Sequence, residues 1–260
     1  LTPRLVLTAR HCVAVTDPGA ACNSEGKPIA GGQVHADDEP SAIYVFAGKE
    51  RPDILSGTAR PVRGKEILTT GAKTLCDNDI ALVLLERPVP DAKIAPVRLK
   101  AMPDQGEIVT VVGWGITEED PDPETRMQRT NVPIVDVGPS DGLGPKEFRI
   151  GEGTCQGDSG GPAIAASGAV LGVLSRGGNG TGAQGADACL DGVNIYTSTA
   201  GHADFLRAGY EKAGQEPWLE GQPNPLLAVN GAACTRDADC RSNVCDAERK
   251  TCTDGCDEDR

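Results

Sequence analysis

At 260 residues, 38% of them apolar and 24% charged, the chain is long enough for one large or two small hydrophobic cores and too apolar to read as disordered. Its formal charge of −13 sets nucleic acid and anionic membrane surfaces aside as partners, because both would repel it at long range; solubility is the simpler reading of the acidity. No apolar run approaches the length that spans a bilayer, so no membrane insertion is expected.

Thirty-three glycines, nineteen prolines and short apolar runs predict an all-β chain of many short strands. Ten cysteines point to an oxidising compartment, hence a secreted or cell-surface protein. Zinc is the rival explanation. The run Cys234, Cys240, Cys245, Cys252, Cys256 contains no Cys-x2-Cys pair and no neighbouring histidine, so no metal and no cofactor are expected.

In chain order, Leu5 to Thr8 reads as a buried strand that delivers His11 to a rim, with Cys12 beside it. Residues 13–42 read as a polar loop carrying Cys22, and 42–48 and Val62 to Ile67 as strands. Cys76 stands just before Asp77-Asn78-Asp79, which opens a long apolar strand; a Cys22–Cys76 bridge would tie the polar loop to that acidic turn. Glu107 to Gly115 and Val132 to Val135 are further strands. Between them, Thr117 to Thr125 is dense in Glu, Asp and Pro and reads as a solvated loop, not a calcium site.

In Thr154-Cys155-Gln156-Gly157-Asp158-Ser159-Gly160-Gly161-Pro162 a serine sits among glycines that let the backbone turn sharply and leave N–H groups bare. That is what a nucleophile requires: Ser159 clear of its own main chain, with the N–H groups of Gly157 and Ser159 aimed at an oxygen that becomes negative. A hydroxyl needs a base with a pKa near neutrality, and His11 is the candidate; His35 and His202 read as surface residues. An anion on the far imidazole nitrogen would fix the tautomer, a place for Asp79 with Asp77 as its comparator. Strands at 163–164, 169–175 and 194–197 follow, then an amphipathic helix capped by Thr199. The stretch 215–233 reads as a linker, and 234–260 as a disulfide-stapled tail with an odd number of cysteines.

The segments Thr8-Ala9-Arg10-His11-Cys12, Asp79-Ile80-Ala81-Leu82 and Gly157-Asp158-Ser159-Gly160-Gly161-Pro162, together with Gly113-Trp114-Gly115, resemble the signatures of the trypsin/chymotrypsin-like serine proteases. They stand in that family's His, Asp, Ser order, and the likeness spans about residues 1–214. It implies two six-stranded antiparallel β-barrels, at about 1–100 and 105–200, joined through 86–105 and followed by a terminal helix at 199–214. The first barrel would be incomplete, its opening strands and a cysteine partner for Cys12 lying upstream of Leu1.

The resemblance further implies a catalytic triad of His11, Asp79 and Ser159, an oxyanion hole from Gly157 and Ser159, and a zymogen in which Asp158 receives a newly cut amino terminus. It places the base of the pocket for the residue before the scissile bond (P1) at Gly153, beside Thr154 and Gln156. Ser175, Arg176 and Gly177 would form the wall, Arg176 where an aromatic is usual, and a Cys155–Cys189 bridge would cross the pocket. Trypsin-like members hold an aspartate where Gly153 stands, so a neutral P1 is expected. The reading is a secreted, monomeric serine endopeptidase acting on proteins or peptides through an acyl-enzyme on Ser159, its tail's partner unspecified. The alternatives are esterase action by the same groups, or an inactive relative that binds or scaffolds.

Overall fold

A computed structural model describes residues 1–54, 59–90, 92–242 and 244–253. The first half of the chain builds β1 (Leu5–Thr8), β2 (Ala14–Thr16), β3 (Ala20–Cys22), β4 (Pro28–Gly31), β5 (Val34–Asp37), β6 (Tyr44–Val45), β7 (Val62–Thr69) and β8 (Ala81–Leu85). Every residue of β8 is buried, which is why it reads as an unbroken apolar run. Its side chains nonetheless alternate: Ala81, Val83 and Leu85 pack with Val13, Val62 and Val89, whereas Leu82 joins Leu5, Val97, Val173, Leu206 and Tyr210. β8 lies between β1 and β7 in a four-stranded curled sheet of order β1-β8-β7-β6.

The second half supplies β9 (Ile108–Gly113), β10 (Met127–Val137), β11 (Glu147–Ile150), β12 (Pro162–Ala165), β13 (Val170–Gly178) and β14 (Val193–Ser198). These close into a six-stranded barrel, β10-β11-β14-β13-β12-β9. Val109, Val111, Ile134, Ile150, Leu171 and Leu174 fill its interior, with the Phe148 and Tyr196 rings stacked 5.3 Å apart. The helix α1 (Ala203–Lys212) buries Leu206 and Tyr210, one turn apart, against the apolar cluster that both halves share.

Three expectations change. Residues 13–42 are not simply a loop: β2 pairs with β5 and β3 with β4, in strands too short and too exposed to carry an apolar signal. β10 runs eleven residues, its first five exposed and its pairing with β9 interrupted between Arg129 and Val132. Thr199 does not cap α1. A 3-10 turn, Ala200–His202, intervenes, and the Thr199 hydroxyl instead donates to the Arg98 carbonyl at 2.7 Å.

The stretch after α1 is docked. Val97 donates to the Trp218 carbonyl at 2.8 Å, Glu220 donates back to the Val97 carbonyl at 3.1 Å, and Arg98 forks onto both Glu220 oxygens at 2.6 and 2.8 Å. Beyond it β15 (Cys245–Asp246) and β16 (Thr251–Cys252) form a hairpin stapled by Cys234–Cys245 and Cys240–Cys252. The sulfurs of Cys234, Cys240 and Cys245 lie close enough together for a metal site, but all three are committed to these bridges. Cys256, the odd tail cysteine, lies outside the described residues. Among the described residues no helix is long and apolar enough to cross a membrane.

Candidate active site

β1 and β8 pair with Thr8 opposite Ala81, so the turn that leaves β1 and the turn that enters β8 share one edge. His11 is on the first and Asp79 on the second. His11 Nδ1 lies 2.8 Å from Asp79 Oδ2, and the His11 backbone N–H donates to Asp79 Oδ1 at 2.9 Å. A third donor comes from the barrel. β13 carries one extra residue, Ser175, between its pairings at Leu174 and Arg176, and such a bulge re-aims a side chain. The Ser175 hydroxyl donates to Asp79 Oδ2 at 2.7 Å.

Asp79 is fully buried, so these donors are its substitute for water. Burial acts to lower the His11 imidazole, but the hydrogen bond to Asp79, the Cys12 sulfur 3.7 Å from Nε2 and the Asp79 charge outweigh it and push it up to about 10. Asp77, left open beside Asp79 by the sequence, has other partners. Its carboxylate accepts the Lys146 N–H at 2.6 Å and its own N–H donates to Glu147 at 3.1 Å, while burial raises it to about 6.

Ser159 is exposed in a turn closed by Asp158 N–H to the Cys155 carbonyl and Gly161 N–H to the Asp158 carbonyl. A Cβ on Gly160 would stand 2.3 Å from Thr8 Oγ1 and 3.0 Å from Ala9 N, so only glycine lets this turn press on the turn that carries His11. Among the described residues the Ser159 hydroxyl and the N–H groups of Gly157 and Ser159 make no hydrogen bond, and the His11–Ser159 bond is not formed. Apposed groups of this kind commonly close up only on substrate. The Asp158 carboxylate accepts Gly115 N–H at 2.7 Å and Cys155 N–H at 2.9 Å, and burial raises its pKa. A Cβ at Gly113 or Gly115 would fall 1.9 or 2.4 Å from a carboxylate oxygen, which accounts for both glycines of Gly-Trp-Gly.

Beside this turn lies a cleft of about 290 Å³ lined by Gly153, Thr154, Cys155, Asp158, Cys189 and residues of β9 and β10. Cys155 and Cys189 are bridged, as are Cys22 and Cys76. Gln156, Ser175, Arg176 and Gly177 do not line it. Ser175 faces Asp79 instead, and Arg176 forks onto Glu147 at 2.6 and 2.9 Å. Glu152, also in the lining, is engaged by Arg129 at 2.7 Å and by the Asp191 N–H at 2.8 Å.

His35 is exposed and lies 2.8 Å from Asp17. His202 is not a surface residue: it is 4% exposed, its Nδ1 is 3.0 Å from the Ser198 carbonyl, and burial pushes it down to about 4. No motif marks Glu147. The signal that was available is a carboxylate heading a short strand, Glu147-Phe148-Arg149-Ile150, whose Phe148 and Ile150 alternate into the core.

A family model described as Trypsin matches residues 1–205. Trypsin-1 of Astacus astacus is 29% identical over 73% of this chain and 86% of its own length. Protein C activator of Agkistrodon contortrix contortrix is 38% identical over 67% of this chain and 70% of its own. Phenoloxidase-activating factor 3 of Holotrichia diomphalia is 31% identical over 80% of this chain and 61% of its own.

Proposed function

The chain belongs to the trypsin family, and on that premise we propose that it is a serine endopeptidase that cleaves peptide bonds through an acyl-enzyme on Ser159. The observation that carries the reading is the fully buried Asp79 carboxylate, held by Ser175 and bonded to both the ring and the backbone of His11. On this reading Nε2, the nitrogen not held by Asp79, serves the Ser159 turn, which presses on the turn carrying His11 at Gly160. Once neutral, His11 takes the Ser159 proton as Oγ attacks the carbonyl carbon, then returns it to the departing amine. Water repeats the cycle on the ester. The N–H groups of Gly157 and Ser159 receive the oxyanion, each contributing about 3 kcal/mol in the transition state. His11 must first lose its proton, and a Cys12 sulfur held in a disulfide would no longer raise it.

For P1 we propose a neutral, small to medium apolar side chain. A Cβ at Gly153 would lie 3.4 to 3.5 Å from Val132, Ile150 and Val111, and Gly153 brings no carboxylate of its own to meet an arginine or lysine. Of the carboxylates in the cleft lining, Glu152 is committed to Arg129, and Asp158 accepts the Gly115 and Cys155 N–H groups. Four disulfides among the described residues fit work outside the cytoplasm.

A fluorophosphonate probe tests the reading on the folded protein. Labelling of Ser159 that is abolished in Ser159→Ala is expected; a folded protein that takes no label would be the inactive relative. Faster cleavage of Ala- or Leu-P1 peptides than of Arg-P1 peptides is the specificity result expected, and the reverse order refutes the pocket assignment.

A further inference from the structure

We propose that Glu147 and Arg176 are a positioning pair for the His11–Asp79 couple: Glu147 fixes the Asp77–Asp79 turn from the barrel side and cancels an Arg176 charge that would oppose Asp79. The inference rests on the hydrolytic reading of His11 and Asp79 above. Glu147 is fully buried and accepts four bonds: from Arg176 Nη1 at 2.6 Å, Arg176 Nη2 at 2.9 Å, Gly144 N–H at 2.9 Å and Asp77 N–H at 3.1 Å. Two routes therefore lead from one carboxylate to the acid. The first is the backbone, because Asp77 lies two residues before Asp79 and has a left-handed φ of 63° that the Glu147 and Lys146 contacts hold. The second runs through Arg176, whose Nη1 lies 3.5 Å from the Ser175 hydroxyl that donates to Asp79.

Stability alone is a poor reason for such a pair. Buried ion pairs are often no more stabilising than apolar residues of the same volume, whereas removing one partner leaves an uncompensated charge. The uncompensated charge matters here because of what it would face. Arg176 is directed at Glu147 and, through Ser175, at Asp79; Asp77, Lys146 and His202 flank Glu147, and His11 is faced by Asp79 and Cys12. With Glu147 ionised, Arg176 adds no net charge behind Asp79, and the full carboxylate charge acts on the imidazole.

The test is an NMR titration of the His11 ring in the folded protein, which does not depend on turnover. E147Q keeps the size of the side chain and its acceptor for Asp77 but strands the guanidinium. His11 should then titrate lower by roughly half to one pH unit, for an effective dielectric of about 20 to 40. The double variant E147Q/R176M should return it to the wild-type value, although both lose thermal stability. R176M has the opposite sign and serves if E147Q does not fold: His11 should stay at or above its wild-type value. A His11 titration unchanged in E147Q, or lowered in R176M, overturns the proposal. Failure of Ser159 to label would refute the hydrolase reading and leave this charge pattern to be judged on its own.

Discussion

Replacing Asp79 by asparagine tests the site most directly, because the geometry dictates how an amide must sit. Three donors converge on two oxygens: the His11 backbone N–H on Oδ1, and the His11 ring and Ser175 hydroxyl on Oδ2. A backbone N–H cannot reverse its role, so the amide oxygen must take the Oδ1 place and the NH₂ the Oδ2 place. The Ser175 hydroxyl can rotate to become an acceptor, but His11 Nδ1 can accept only by giving up its proton, which moves to Nε2. That tautomer cannot take a proton from Ser159. The expected loss in kcat is about 10⁴-fold, or about 5.5 kcal/mol of transition-state stabilisation, with little change in KM. Steady-state hydrolysis of a chromogenic ester or peptide reads the rate, and ¹⁵N shifts of the His11 ring read the tautomer. D77N is the control, expected to cost stability but far less rate. An Asp79→Asn enzyme within tenfold of wild type, or a D77N enzyme that is the slower of the two, would refute the assignment.

Three further outcomes are expected. His202 has a folded value of about 4 against an ordinary 6.5, so it contributes stability above pH 6.5 that is lost as pH falls toward 4, at most about 3 kcal/mol. Asp77, raised to about 6, works in the opposite sense between pH 6 and 3.8, so H202Q should flatten or invert the acid limb of a urea-unfolding pH series, and an unchanged limb would contradict the burial. Removing the Cys155–Cys189 bridge, which closes a 34-residue separation, should cost about 4 kcal/mol on the loop-entropy relation. Loss of Cys22–Cys76, at a separation of 54, should cost about the same, yet only the former should raise KM, as thermal melts and peptide kinetics on C155A/C189A and C22A/C76A would tell. E220A should free the segment that follows α1, giving faster limited proteolysis after residue 214 with little change in melting of the rest; equal protection would show that the Arg98 fork is dispensable.

Much of this was legible because short motifs coincide with places where backbone geometry leaves no choice. Gly113, Gly115 and Gly160 occupy positions where any Cβ would strike Asp158 or the Thr8 hydroxyl and Ala9 N, so their pattern could be read without coordinates. β8 was legible for a different reason, being buried on both faces. What escaped the sequence depends on partners distant in the chain. Nothing near Arg176 indicates that it turns from the cleft toward Glu147, and His202, between Gly201 and Ala203, looks like any surface histidine until Ser198, the Asp77 turn and the Lys146–Glu147 segment gather around it. The choice between Asp77 and Asp79 was likewise a matter of which one the β1–β8 register sets beside His11. β2 to β5 were missed since polar strands that pair mainly with one another carry little apolar periodicity.

The seam at Val97 has a mechanical meaning. Because residues 218–220 lie alongside Val97 and are clamped by Arg98, a load applied to the disulfide-rich tail would meet that clamp before reaching α1. The docked segment therefore stands between the stapled hairpin and α1, so a displacement of the tail has to break the Val97 bonds and the Arg98 fork before it reaches the helix.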